Sequence, residues 1–215
     1  MSYIRHIAGL IIFCLLCGCA SPAIRYHTLT GPGAADHPAV PSLLASLEIL
    51  PVGVPVSLDR SQIIVREGTD RVYILNDDQW LSPLSDEIRE ALETRLQAPV
   101  SVNPAKAALP AQRLWLQVRR FDARPGQNVS LEADWQLLTR EGADRERLSC
   151  HSSLTLPVQG GIEPLFPAWQ QLISQLARQI ADTANTPAPV RHCPGGSPGG
   201  AFPEATGEYP ALPER

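Results

Sequence analysis

Residues 114–119 read Leu114-Trp115-Leu116-Gln117-Val118-Arg119, and residues 129–137 read Val129-Ser130-Leu131-Glu132-Ala133-Asp134-Trp135-Gln136-Leu137. Apolar and polar side chains alternate through both runs, and Leu148, Cys150, Ser152, Leu154 and Leu156 carry the same period through a third. A period of two places every second side chain on one face, so three such runs predict an antiparallel meander with one buried side. Pro125-Gly126-Gln127-Asn128 and Glu141-Gly142-Ala143-Asp144 supply the turns.

Upstream, Arg25 to Leu29 and Leu47 to Val52 read as short strands. Gln62 to Val65 and Arg71 to Leu75 read as a hairpin about Glu67-Gly68-Thr69-Asp70. Two stretches change the period. Ser82 and Pro83 open a helix in which Asp86 and Glu87 complement the N-terminal dipole, Leu84, Ile88, Leu92 and Leu96 recur every fourth residue, and Pro99 closes it. Leu165, Trp169, Leu172, Ile173, Leu176 and Ile180 mark a second amphipathic helix beginning near Pro164. Apolar faces on helices and sheet need mutual burial. The predicted fold is therefore α+β, a mixed, mostly antiparallel sheet covered on one face by two amphipathic helices.

The ends differ from this body. Arg5 and His6 precede an apolar run from Ile7 to Cys17, which is short of the roughly 20 residues a membrane-spanning helix requires and reads as a secretory signal. Leu16-Cys17-Gly18-Cys19 resembles the bacterial lipobox, which would make Cys19 the acylated first residue of the mature chain. Ala20 stands where an Asp would resemble the inner-membrane retention signal, so the resemblance points to the outer membrane, periplasmic face. Seven prolines and five glycines fall within residues 186–215, a composition that cannot offset ordering entropy by burial. The expected organisation is a signal peptide over 1–18, a lipidated N-terminus and short tether over 19–23, a folded body over 24–184 and a disordered tail over 185–215.

Charge and motif content exclude several functions. With 18 basic and 22 acidic residues in 215, the net charge of -4 argues against nucleic acid as a partner. Ser149, Cys150 and His151 superficially suggest a nucleophile with its base, but neighbours on a strand point to opposite faces and cannot converge on one atom. Neither Cys150 with His151 nor His192 with Cys193 has the spacing of a structural zinc site. No catalytic residue, metal or cofactor is expected beyond the lipid on Cys19. In an oxidising compartment Cys150 and Cys193 could pair, closing a loop whose entropy is worth about 4 kcal/mol; Cys150 could equally be a small buried hydrophobe. Asp77 and Asp78 read as an exposed acidic couple in a loop, and Trp80, just before a helix, as a core anchor rather than a ligand platform.

Three blocks in order resemble a known family. Tyr26-His27-Thr28-Leu29, then Ser57-Leu58-Asp59-Arg60-Ser61-Gln62-Ile63-Ile64-Val65-Arg66, then Gln79-Trp80-Leu81-Ser82-Pro83-Leu84 are similar to the blocks of the PqiC-like ABC-type transport auxiliary lipoproteins. The resemblance spans about residues 19 to 183. It implies a non-enzymatic outer-membrane lipoprotein that assembles as a homo-oligomeric ring. Its partners would be a periplasm-spanning MCE-domain protein and an inner-membrane permease, moving lipid between membranes and supporting envelope integrity. On that basis Asp59, Arg60, Gln62, Arg66, Trp80, Pro83 and Leu84 are candidate protein-contact residues. A stand-alone envelope-stabilising lipoprotein, or a lipid-anchored hydrolase, would be the alternatives without the resemblance.

Overall fold

The computed structural model describes residues 23–31, 40–68, 70–96, 110–141, 144–187 and 190–196. The expected signal peptide, the acylated Cys19 and the helix stop at Pro99 lie outside the described residues. Strands β1 (Arg25–His27), β2 (Leu47–Ile49), β3 (Gln62–Glu67) and β4 (Arg71–Trp80) precede helix α1 (Leu84–Leu96). Strands β5 (Gln112–Arg124), β6 (Asn128–Glu141) and β7 (Asp144–Pro157) then lead to helix α2 (Leu165–Ala184).

The α+β architecture is as the periodicity predicts, with one difference. The strands divide into two sheets, ordered β1-β4-β3 and β2-β5-β6-β7. The β3–β4, β5–β6 and β6–β7 pairs are antiparallel; β1 joins β4, and β2 joins β5, in parallel. Beyond Ile49 the parallel alignment persists through an isolated bridge between Gly53 and Gln117, shorter than the strand expected to reach Val52. Gly126 turns the β5–β6 hairpin at φ +73°, a conformation that an L side chain rarely adopts.

The meander buries the alternating set that its sequence marks: Leu114, Leu116, Val118, Ala133, Trp135, Leu137 and Cys150 are all removed from solvent. α2 packs on β6 and β7 and also against α1. Trp80, Phe121, Phe166 and Trp169 join the two sheets to α2, with Phe121 and Trp169 stacked at 5.5 Å between centroids. Aromatic pairs at such separations add to the area they bury. Trp135 also donates from Nε1 to Ser152, whose hydroxyl donates to Gln179 of α2.

A disordered tail from residue 185 does not describe residues 190–196. Cys193 is disulfide-bonded to Cys150, their Cα atoms 5.3 Å apart. Beside it the Arg191 guanidinium is buried, Nη1 donating to Thr139 Oγ1 at 2.7 Å and Nε to the Thr186 carbonyl. One covalent bond and a satisfied buried cation hold this segment where its composition alone would not.

Candidate functional site

The first sequence block converges with the third on the junction of β1, the end of β4 and the start of α1. Asp78 is the centre of one cluster. It is buried on β4, with Oδ2 2.7 Å from Arg25 Nη2 and Oδ1 2.7 Å from His27 Nε2. Burial by itself pushes this carboxyl up, but the hydrogen bonds and charges of Arg25 and His27 outweigh it and hold the pKa below the usual carboxylate value. The His27 ring stacks on Phe166 of α2 at 3.5 Å, and Arg25 also reaches Glu163.

The acidic couple is thus not an exposed loop. Both residues lie in β4, and only Asp77 faces solvent. The cause is a register slip: Ile64 pairs with Ile74 while Gln62 pairs with Gln79, so β4 gains three residues on β3 between those points. An odd slip reverses which side chains face inward. Leu75 is inward before it, and Asp78 and Trp80 after it.

Glu87 is the second centre. Its buried carboxylate accepts four hydrogen bonds, from Thr28 Oγ1, Leu29 N, Ser82 N and Ser82 Oγ, at 2.9 to 3.2 Å. Sequence reading assigned Glu87 only to the helix dipole. The residue instead locks Thr28-Leu29 onto the opening of α1, satisfying backbone donors that would otherwise be buried unpaired. Arg95 completes the clamp by donating to the Leu29 carbonyl, Ala91 carbonyl and Ser174 hydroxyl. Gln170 of α2 donates to the Thr28 carbonyl.

The contact candidates separate into two groups. Trp80 and Leu84 are core residues, buried against the aromatic cluster and α1, and so are corrected from contact to packing. Asp59 accepts from Ser85 N at 3.0 Å and holds the first turn of α1. Arg66 is committed to Asp122 of β5 at 2.6 Å, bridging the two sheets. Arg60, Gln62 and Pro83 are exposed side by side with these anchors.

On the opposite side of the meander His151 Nδ1 lies 2.7 Å from Asp134 Oδ1, and Arg119 Nε donates to Oδ2 of the same carboxylate. Burial raises the Asp134 carboxyl, and the His151 and Arg119 bonds more than reverse it. Ser149 and His151 are directed away from Cys150, as the alternation predicts, and Cys150 is consumed by the disulfide. Among the described residues no three His, Cys, Asp or Glu side chains gather as a metal site.

His27, Thr28, Asp59, Arg66 and Ser82 of the blocks therefore bind the chain's own segments together. The model of the ABC-type transport auxiliary lipoprotein component matches residues 27–181, from His27 of the first cluster to the last turn of α2. The chain belongs to that family. It is accordingly a lipoprotein component of a transport system, and no helix among its described residues is long and apolar enough to cross a membrane.

Solved structures show some similarity to this auxiliary lipoprotein, and one of them reaches a shared fold. Protein XCC0632 from Xanthomonas campestris is 18% identical, with a TM-score of 0.50 over 74% of this chain and 90% of its own. An uncharacterized protein is 18% identical at a TM-score of 0.48, covering 68% of this chain and 95% of its own. The hypothetical protein CT253 from Chlamydia trachomatis is 11% identical at 0.40, covering 65% and 97%. No curated protein matches the sequence.

Proposed function

We propose that this auxiliary lipoprotein is anchored in the outer membrane through acyl groups on Cys19 and serves, without enzymatic activity, an MCE-type intermembrane lipid transport system that supports envelope integrity. The observation that carries the reading is the family match across the folded body. The use of Asp78, Glu87, Asp59 and Arg66 in internal bonds supports it, because these are groups that a hydrolase would need to present to a substrate.

In this reading the chain forms a homo-oligomeric ring at the outer-membrane end of a periplasm-spanning MCE-domain protein, whose other end meets an inner-membrane permease. Arg60, Gln62 and Pro83 contact protein partners, while Asp59 and Arg66 fix the surface that presents them. Binding is then built on a rigid corner rather than a loose loop, which limits the ordering entropy lost on association.

The test is affinity purification of the tagged, natively acylated chain from detergent-solubilised envelopes, with mass spectrometry of the retained proteins and native mass of the particle. An MCE-domain protein in a ring-sized particle is expected. A monomer that retains no partner would overturn the transport reading and return the chain to a stand-alone envelope lipoprotein.

A further inference from the structure

The β3–β4 hairpin carries exposed apolar side chains without a partner among the described residues. Val72 and Ile74 are 56% and 46% exposed, and Tyr73 between them is 40% exposed. Val72 pairs with Arg66 and Ile74 with Ile64 on one face, while Tyr73 occupies the other. One edge of β4 is also open here. β1 pairs with β4 only from Asp78 to Trp80, leaving Arg71 to Asp77 without a neighbour on that side among the described residues. An open apolar edge of this kind is ordinarily covered or blunted by charge.

Strand direction indicates what covers it. β1 is parallel to β4, and its first residue, Arg25, is level with Asp78. The chain therefore enters β1 from the end of the sheet where the hairpin lies. Arg25 is six steps along the chain from Cys19, and a polypeptide spans at most about 3.3–3.6 Å per residue, so an acylated Cys19 lies within about 20 Å of Arg25. Val72 is also six residues back from Asp78, about 20 Å along the strand. The bilayer cannot be farther from β1 than the apolar part of the hairpin reaches.

We propose that the face of the hairpin that carries Val72 and Ile74, with Tyr26 farther along the same sheet and level with Gln79, lies against the lipid surface that holds the acyl groups, so that the body has a second, non-covalent contact with the bilayer. This rests on the acylation of Cys19 proposed above. Tyr26 is 60% exposed on the sheet edge nearest the tether, and Ile24 precedes it, also exposed. Tyrosine is favoured at the headgroup level, where its ring is apolar and its hydroxyl remains wet. The charges at the hairpin end balance: Arg66 and Arg71 stand with Glu67 and Asp70, and Arg71 pairs with Glu67 at 3.3 Å. A neutral tip suits a zwitterionic interface. The contact fixes the orientation of the body, which a flexible tether with lipid at its end does not.

The experiment uses the full-length, natively acylated chain in vesicles of phosphatidylethanolamine and phosphatidylglycerol. An environment-sensitive fluorophore is placed on Ile74→Cys, on Val72→Cys and, as a control on the exposed segment after α2, on Val190→Cys. Circular dichroism checks each variant for folding. With a nitroxide quencher on the lipid chains, the labels at 72 and 74 are expected to lose several-fold more intensity than the label at 190. Equal quenching at all three sites in a chain that floats with the vesicles and carries the lipid mass would overturn the surface contact while leaving the anchor intact. A chain that neither floats nor carries the mass would overturn the anchor itself. A blue shift at 72 and 74 without quenching, appearing only at high protein-to-lipid ratio, would assign the edge to a second copy instead and also overturn the lipid contact.

Discussion

The Asp78 carboxylate lies 2.7 Å from both His27 Nε2 and Arg25 Nη2, tying the first strand of the body to the end of β4 through one buried anion. β1 has three residues, too few to be held by its ladder alone. The Asp78 cluster on one side and the Glu87 clamp on the other give it a fixed place, and with it the direction from which the chain enters β1.

Acid should therefore loosen the structure. Asp78 and Asp134 are both held below the ordinary carboxylate value of about 3.9. A depressed folded-state pKa contributes stability that is fully present above the unfolded value and is lost as pH falls through the folded one. Thermal melts between pH 7 and pH 2 should show stability declining below about pH 4, and Asp78→Asn should flatten part of that decline. An unchanged pH profile in Asp78→Asn would remove the cluster from the explanation.

Glu87→Ala leaves the Leu29 and Ser82 backbone donors without their acceptor in a buried site, at roughly 1–3 kcal/mol for each unsatisfied group. A loss of about 3 kcal/mol is expected in urea unfolding, with Glu87→Gln intermediate because its amide oxygen can accept some of the same bonds. Neutral behaviour of Glu87→Ala would show that the Glu87 bonds add nothing to the hold on Thr28 and Leu29.

Asp59 and Arg60 should separate although they are adjacent. Asp59→Ala removes the acceptor for Ser85 N and should cost about 1 kcal/mol of stability, as helix caps do. Arg60→Ala should leave stability within about 0.5 kcal/mol, as exposed substitutions usually do, while reducing co-purification of partners. Full partner recovery by a folded Arg60→Ala would take this residue out of the interface.

The Cys150–Cys193 bond closes a loop of sequence separation 43, worth about 4 kcal/mol in the chain-entropy model. The unreduced, denatured chain should show no thiols from these two residues, and the double substitution Cys150→Ala with Cys193→Ala should lower the melting temperature markedly. Two reactive thiols before reduction would contradict the bond. Retention of the native melting temperature by the double variant would limit its contribution to local tethering.

Much of this protein was legible in its sequence because the signal was local. Alternation over Leu114–Val118, Val129–Leu137 and Leu148–Leu156 determined three strands and their buried face, since a strand's side-chain period is fixed by its backbone. Four-residue spacing from Leu84 to Leu96 and from Leu165 to Ile180 likewise determined both helices. The three family blocks, read in order, identified the lineage.

Only the tertiary structure decided the rest. It was the odd slip between β3 and β4 that turned Asp78 inward and left Asp77 outside, a consequence of pairing between strands that neither strand's own pattern contains. Trp80 found its aromatic partners because α2, more than 80 residues later, brings Trp169 and Phe166 against it. Residues 190–196 were ordered by a cysteine on β7 and by an acceptor for Arg191 on β6, partners remote enough that the Pro/Gly composition of the tail could not announce them. Periodicity is written residue by residue, whereas register, sheet division and the pairing of buried charges depend on which distant segments come together, and those are settled only when the whole core forms.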